Sequence, residues 1–383
     1  MSEAGQGKTN EGADPRGANG DSQPTVTVKD IARIAGVSIG TVDRAIHNRG
    51  RVSAETRDRI LRAIADTGYS PNILASRLSR ARTITLGVVM PEVFQDSGYW
   101  RLCFSGAELA ARQLAGFAVA VRHFPFDRSV PRGLEGAVRE ALNTGVDGLL
   151  VAPIDSEQLG DALGGAAPAM VFFDSDAPGF SRIAYVGQDS FQSGLLAGKL
   201  MRMLLGNEAP ASDFGAIRIE GHDYHLAERL RGYERYLDGA SGFAPRYFSY
   251  VPPATNRADE IGNTVSRLAS DILRVDPAIR GLFVPNVMVH QVAEAFARLV
   301  ARGIAGTGRP RLIGYDLIPE NVAAVKNGDI DFLLSQRPEI QGYEGVMTLY
   351  RAIVLKEKVV SHRTMPIDII TKENADSFQT SDP

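Results

Sequence analysis

The sequence predicts two folds in series, a small all-α head followed by a two-lobed α/β body. Three observations carry that prediction. Between Thr27 and Asp66, apolar residues recur at helical spacing in three short runs separated by Gly and Ser. From Ile84 onward, short apolar runs alternate with amphipathic helical stretches. Charge is partitioned between the same regions: residues 24–83 hold 11 Lys+Arg against 5 Asp+Glu, and residues 84–383 hold 29 against 36.

The first helix is expected at about 28–35, with Thr27 able to cap it and Asp30 three residues on. Gly36-Val37-Ser38 is the turn: Gly36 accepts the positive φ that ends one helix, and Ser38 caps the next. The second helix spans about 39–47. A third runs from Ala54 to Asp66, capped by Ser53 and carrying Glu55 in its first turn. Two helices joined by a three-residue turn containing Gly form a helix-turn-helix, whose second helix enters a DNA major groove. Ile31, Ile34, Val37, Val42, Ile46, Ile60, Leu61 and Ile64 are the expected core. Arg33, Arg44, Arg49, Arg51, Arg57, Arg59 and Arg62 are left outside. Charge alone is equally compatible with a solvated basic cap, but the turn, caps and helix order favour a module that binds a polyanion.

With TVKDIARIAGVSIGTVDRAIHNRGRVSAETRDRI and GYSPNILASRLSR in view, the chain resembles the LacI-type bacterial transcription regulators. The resemblance implies base reading by Ile39, Gly40 and Arg44, where an Arg can bond guanine O6 and N7 bidentately. It implies backbone-phosphate contacts from Thr27, Ser38, Thr41, Ser53 and Thr56. Ile39 and Gly40 depart from the polar pair often found there, and Asp43 stands where a small hydroxyl residue is usual. Ser70–Ser79 is too short to be a helix alone in water. By resemblance it is a hinge helix that folds on DNA beside a second copy, with Asn72, Ala75 and Leu78 in contact and Leu78 wedged into the minor groove.

Composition bounds the class. The chain has 383 residues, is 44% hydrophobic and carries one cysteine, Cys103, so no internal disulfide is expected. No run reaches membrane-span length and no signal peptide is evident, which predicts a cytoplasmic protein with no membrane partner. Residues 1–23 and 372–383 are expected to be flexible tails.

Past residue 83 the expected strands are 84–90, 117–121, 148–151, 170–173, 215–219, 246–250, 281–284, 312–315 and 367–370. The intervening helices are expected at 103–114, 134–144, 157–163, 191–204, 226–237, 259–275, 289–302, 320–327 and 340–355. Such alternation predicts doubly wound lobes that bind a ligand at the carboxyl ends of their strands. Candidate contacts are polar or aromatic residues just past a strand: Tyr99, Trp100, Asp174, Asp189, Asn286, Asp316 and Gln336, with Arg229 at a helix start. Carboxylates, an Arg fork and carboxamides satisfy several vicinal hydroxyls together. An Asp in such a place also serves as a helix cap, and Tyr99 and Trp100 also suit lobe packing.

VGQDSFQSGLLAGKL, RLRGY, VPNV and GYD extend the resemblance to the body, which is similar to the sugar-binding sensor of that family, a type I periplasmic-binding-protein-like domain. The implied division is 24–69 for the DNA-binding head and 70–82 for hinge helix and linker. Residues 83–371 form an effector-binding and dimerisation domain, with lobes of 83–188 plus 337–359 and 189–336 plus 360–371.

Other chemistry is declined. His222 and His225 lack a third metal ligand, Gly194–Lys199 (GLLAGK) has the wrong count for a phosphate loop, and no nucleophile meets a base by motif. No cofactor, metal or catalytic residue is expected. The expected protein is a transcription regulator, usually a repressor in that family. It would work as a homodimer or tetramer on double-stranded operator DNA, controlled by a carbohydrate-like effector. A nucleobase co-repressor, a sugar acid or a protein partner stays open as the controlling species.

Overall fold

The computed structural model describes residues 26, 28–46, 52–67, 82–164, 168–304 and 308–378. Residues 1–23, Thr27, Arg49, Arg51, the hinge positions Asn72, Ala75 and Leu78, and the Asp43 side chain lie outside them. The chain divides into two compact units, a head and a body.

In the head, α1 (Val28–Ala35), α2 (Ile39–Ile46) and α3 (Ala54–Thr67) close on Ile31, Val42 and Ile60, all fully buried. Val37, Ile46 and Ile64 pack at its margin. Two expected core residues are corrected: Ile34 is 53% exposed and Leu61 51%. Helices this short meet at close range, so Ala32, Ala35, Ala45 and Ala63 fill the inward positions instead.

The body repeats one topology twice. Strands β1 (Ile84–Pro91), β2 (Val119–Phe126), β3 (Gly148–Val151), β4 (Ala169–Phe173), β5 (Ala184–Gln188) and β11 (His362–Met365) form one sheet in the order β11-β5-β4-β3-β1-β2. Strands β6 (Phe214–Ile219), β7 (Arg246–Tyr250), β8 (Gly281–Phe283), β9 (Arg311–Tyr315), β10 (Phe332–Ser335) and β12 (Asp368–Ile370) form the other, in the order β12-β10-β9-β8-β6-β7. All pairings are parallel except β10 with β12. Nearly continuous apolar runs such as AMVFF and GLLV suit strands covered on both faces. The covering helices include α4 (Tyr99–Leu114), α5 (Gly133–Asn143), α6 (Ser156–Leu163), α7 (Ser190–Leu205), α8 (Tyr224–Ser241), α9 (Ala258–Val275), α10 (Val289–Ala301), α11 (Pro319–Asn327) and α12 (Pro338–Leu349).

Three expectations are revised. Strand β11 joins the first sheet, although 360–371 was expected wholly in the second lobe; the chain crosses back only between Met365 and Asp368. Residues 372–378 are not a loose tail: Ala375 is fully buried in the second lobe's core and Lys326 ion-pairs with Asp376. The expected helix 340–355 leaves α-geometry after Leu349 and continues as a π-turn over Tyr350–Leu355.

Candidate functional site

The head presents its candidate base-reading residues outward. Ser38 caps α2, accepting from the Thr41 amide at 3.2 Å, and its hydroxyl lies 2.9 Å from that of Thr41. Ile39, Gly40 and Arg44 are exposed, and Arg44 lies along the helix, donating to Gly40 O at 3.1 Å and to Thr41 Oγ1 at 3.3 Å. Ser53 caps α3 through the Thr56 amide at 3.3 Å. Asp30, expected in a capping box, pairs with Arg33 at 3.1 Å.

In the body, the carboxyl ends of both sheets converge on one chamber. Tyr99, Trp100, Asp174, Arg229, Asn286, Asp316 and Gln336 all line it. Asp174 ends β4 with φ 64°, and Asp316 ends β9 with φ 68°. These strands hold equivalent places in the two sheets. Asp tolerates this left-handed conformation better than most residues, and backbone strain of this kind gathers at ligand clamps.

The first lobe supplies an aromatic wall. The Tyr99 hydroxyl donates to Asp174 Oδ1 at 2.5 Å, and Trp100 Nε1 donates to Asp96 Oδ2 at 2.7 Å. Trp100 is 2% exposed and meets Phe173 edge-on. The Asp174 amide donates to Gln341 Oε1 at 2.8 Å, tying the strand end to α12.

The second lobe supplies a chain of hydrogen bonds. Arg229, 1% exposed, donates to Pro285 O at 2.8 Å and to Gln336 Oε1 at 3.0 Å. Gln336 passes its amide to Asp316 Oδ2 at 3.1 Å. The guanidinium stacks 3.7 Å over the Tyr315 ring. Gly194 makes this placement possible: a Cβ there would fall 2.0 Å from Arg229 O, so only glycine lets α7 pack this close to α8. The GLLAGK run is thus a helix–helix contact.

Burial sets the ionisation. It pushes the Asp316 carboxyl up to about 7 and that of Asp174 up to about 6, against partial relief from Arg229 and from the hydrogen bonds each receives. Asp316 Oδ1 and Arg229 Nε are buried without a hydrogen bond inside the protein, one acceptor and one donor.

Asp189 is corrected. It lies exposed outside the chamber and caps α7, accepting from the Gln192 amide at 2.9 Å. The chamber also holds four side chains that strand-end reasoning missed: Asp96, Arg128, Asp223 and His225. Arg128 donates to Asp96 at 2.5 Å and, across the cleft, to Asp223 at 2.8 Å. Because β2 runs to Phe126 and not Val121, Arg128 is a residue just past a strand. Among the described residues, no group of His, Cys, Asp and Glu could hold a metal ion, and no helix is long and apolar enough to cross a membrane.

The periplasmic binding protein domain matches residues 86–358, and the lacI family of bacterial regulatory proteins matches residues 27–72. The chain belongs to the periplasmic binding protein domain family and carries a lacI-family module at its head. The HTH-type transcriptional regulator GalS of Salmonella typhimurium is 28% identical over 184 residues, 48% of this chain and 51% of that protein. The regulator AscG of Escherichia coli is 41% identical over 85 residues, 22% of this chain and 25% of that protein. The chain thus spans about half the length, or less, of these curated relatives. Among solved structures, a solute binding protein from Burkholderia graminis in complex with D-arabinose superposes with TM-score 0.65 at 20% identity, covering 79% of this chain and 98% of its own. A carbohydrate transporter protein from Acidothermus cellulolyticus in complex with myo-inositol gives 0.62 at 18%, covering 77% and 96%. These two likenesses concern the fold.

Proposed function

We propose that this chain is a sequence-specific DNA-binding transcription regulator, a repressor by its resemblance, whose hold on an operator is set by a carbohydrate-like effector in the body's cleft. It acts in the cytoplasm as a dimer and without catalysis. Two heads bind the half-sites of a near-palindromic operator, with Arg44 reading a base and Ser38, Thr41, Ser53 and Thr56 holding phosphates. Thr27, Asn72, Ala75 and Leu78 complete the DNA contacts proposed from the sequence. The effector closes or opens the lobes and so changes the spacing of the heads. Couplings of this kind are typically about 1–3 kcal/mol.

One observation carries the effector half of this reading: two equivalent strand-end aspartates, an arginine and two carboxamides meet in one chamber beside two aromatic side chains. Acceptors and donors interleaved against aromatic faces suit vicinal hydroxyls on a ring with an apolar face. A thermal-shift panel of pentoses, hexoses, polyols, sugar acids and purines tests it, coupled to mobility shift on operator and random duplexes. The reading predicts a sugar or polyol that raises Tm and changes operator affinity. A shift by purines alone would replace the carbohydrate with a nucleobase, and equal affinity for operator and random DNA under every ligand would end the proposal.

A further inference from the structure

The chamber described above is small, about 30 Å³, or roughly the share of one water in the liquid. Adjoining it lies a second cavity of about 310 Å³. The two share Asp96, Arg128, Asp223, Leu226, Asn286 and Val287. The Asp96–Arg128–Asp223 triad therefore stands on the boundary between them.

The outer cavity has the makings of a binding site in its own right. Its size falls within the range of small-molecule pockets, roughly 300–1,000 Å³. Phe126 and Tyr250, both nearly fully buried, give it aromatic surface from the two lobes. Three of its lining side chains carry a buried acceptor without a hydrogen bond inside the protein: Asp223 Oδ1, Gln158 Oε1 and Gln291 Oε1. Gln158 comes from the first lobe, and Asp223 and Gln291 come from the second. Acceptors without donors call for a ligand that brings O–H or N–H groups.

Charge narrows the class further. Asp96, Asp127, Asp155, Glu220 and Asp223 line this cavity against Arg128, its only arginine or lysine among the described residues. Arg128 is already committed to Asp96 and Asp223. An anionic group entering here would meet several carboxylates and no free cation.

On the carbohydrate reading given above, we infer that the outer cavity is a second effector subsite continuous with the inner chamber. The effector is then an elongated, donor-rich molecule without negative charge, of disaccharide size. Only a hydroxyl-sized group fits the inner chamber, where it meets the strand-end aspartates and Arg229. The two sugar rings lie past the triad, in the outer cavity beside Phe126 and Tyr250, and donate hydroxyls to Gln158 and Gln291.

Calorimetric titration of the full chain tests this, with D-glucose, D-galactose, D-arabinose, cellobiose, maltose, lactose and melibiose, and with D-galacturonate and lactobionate as acids. The expected result is one neutral disaccharide binding at least tenfold more tightly than each of its component monosaccharides. In Gln158→Met/Gln291→Met that advantage should fall below threefold. Both acids should bind at least tenfold more weakly than the preferred sugar. Circular dichroism melting establishes that the variant is folded, and the two single variants replace it if it is not. A monosaccharide binding as well as every disaccharide overturns the second subsite while leaving the carbohydrate reading intact. So does a disaccharide preference that survives the variants. An acid binding as tightly as the neutral sugar overturns the charge argument. Silence from the whole panel overturns this inference, while the carbohydrate reading is decided separately by the wider thermal-shift panel with its polyols and pentoses.

Discussion

The head and the body build their working surfaces in opposite ways. In the head, Ile39, Gly40 and Arg44 stand in solvent, and the partners of Arg44 lie within four residues along one helix. In the body, Asp174, Arg229, Asp316 and Gln336 are buried, and the Asp174 amide bonds to Gln341, 167 residues further along the chain. Exposed groups on a convex helix can meet a macromolecule many times their size. Buried groups at converging strand ends can meet only what the lobes enclose.

The largest effect that would sharpen this contrast is in the body. Arg229→Ala removes two hydrogen bonds and a stacked cation from the chamber, and ligand-induced thermal shift should vanish, a loss of at least 100-fold in affinity by calorimetry. The same variant should retain operator preference in mobility shift; a loss of base discrimination there would break the division of labour.

Arg44→Ala is the reciprocal test. Removal of a bidentate base contact costs roughly 1–3 kcal/mol of discrimination. Operator affinity should fall about 5- to 150-fold relative to random duplex, with effector binding to the free protein unchanged.

Acidity should separate the units next. The Asp316 carboxyl lies at about 7 in the folded chain against its usual 3.8, because burial disfavours its charge. Between these values the folded chain holds a proton that the unfolded chain has released, so this group's stabilisation is greatest below pH 3.8 and declines as pH rises toward 7. Urea unfolding of the body from pH 5 to pH 8 should show that decline in the wild type and a flatter profile in Asp316→Asn. Effector affinity should move the other way, rising about tenfold through pH 7 as Asp316 becomes an acceptor-only carboxylate.

The smallest effect belongs to the head. Ser38→Ala removes the α2 cap and should lower stability by about 1 kcal/mol, read as a lower urea midpoint of the head's helical signal. The body's melting should be unmoved.

Legibility in the sequence followed the same divide. Ser38 and Ser53 announce themselves because cap and capped amide lie three residues apart. Ile34 and Leu61 misled because helical spacing marks a face without saying how wide the buried stripe is. In the body, six cleft residues were visible as polar or aromatic positions past strands, and Arg229 at a helix start. Asp189 obeyed the same rule and proved to be a cap, since a strand end before a helix serves both purposes. Arg128 was hidden because HFPF breaks the apolar pattern and shortened the apparent strand. Strands β5 and β11 escaped because AYVGQ is short and ends polar, and HRTM is mostly polar at a sheet edge. The Arg128–Asp223 bridge joins residues 95 apart, and no local pattern encodes it.

The chain passes from one sheet's lobe to the other three times: after Gln188, between Ser335 and Pro338, and between Met365 and Asp368. Each passage is only a few residues long, so any swing of the lobes concentrates its torsion in these three adjacent strips. Triple tethering also protects the sensor. A cut after Gln188 leaves α12 and β11 of the first lobe covalently tied to the second, and the severed segment is then held by the β5–β11 pairing.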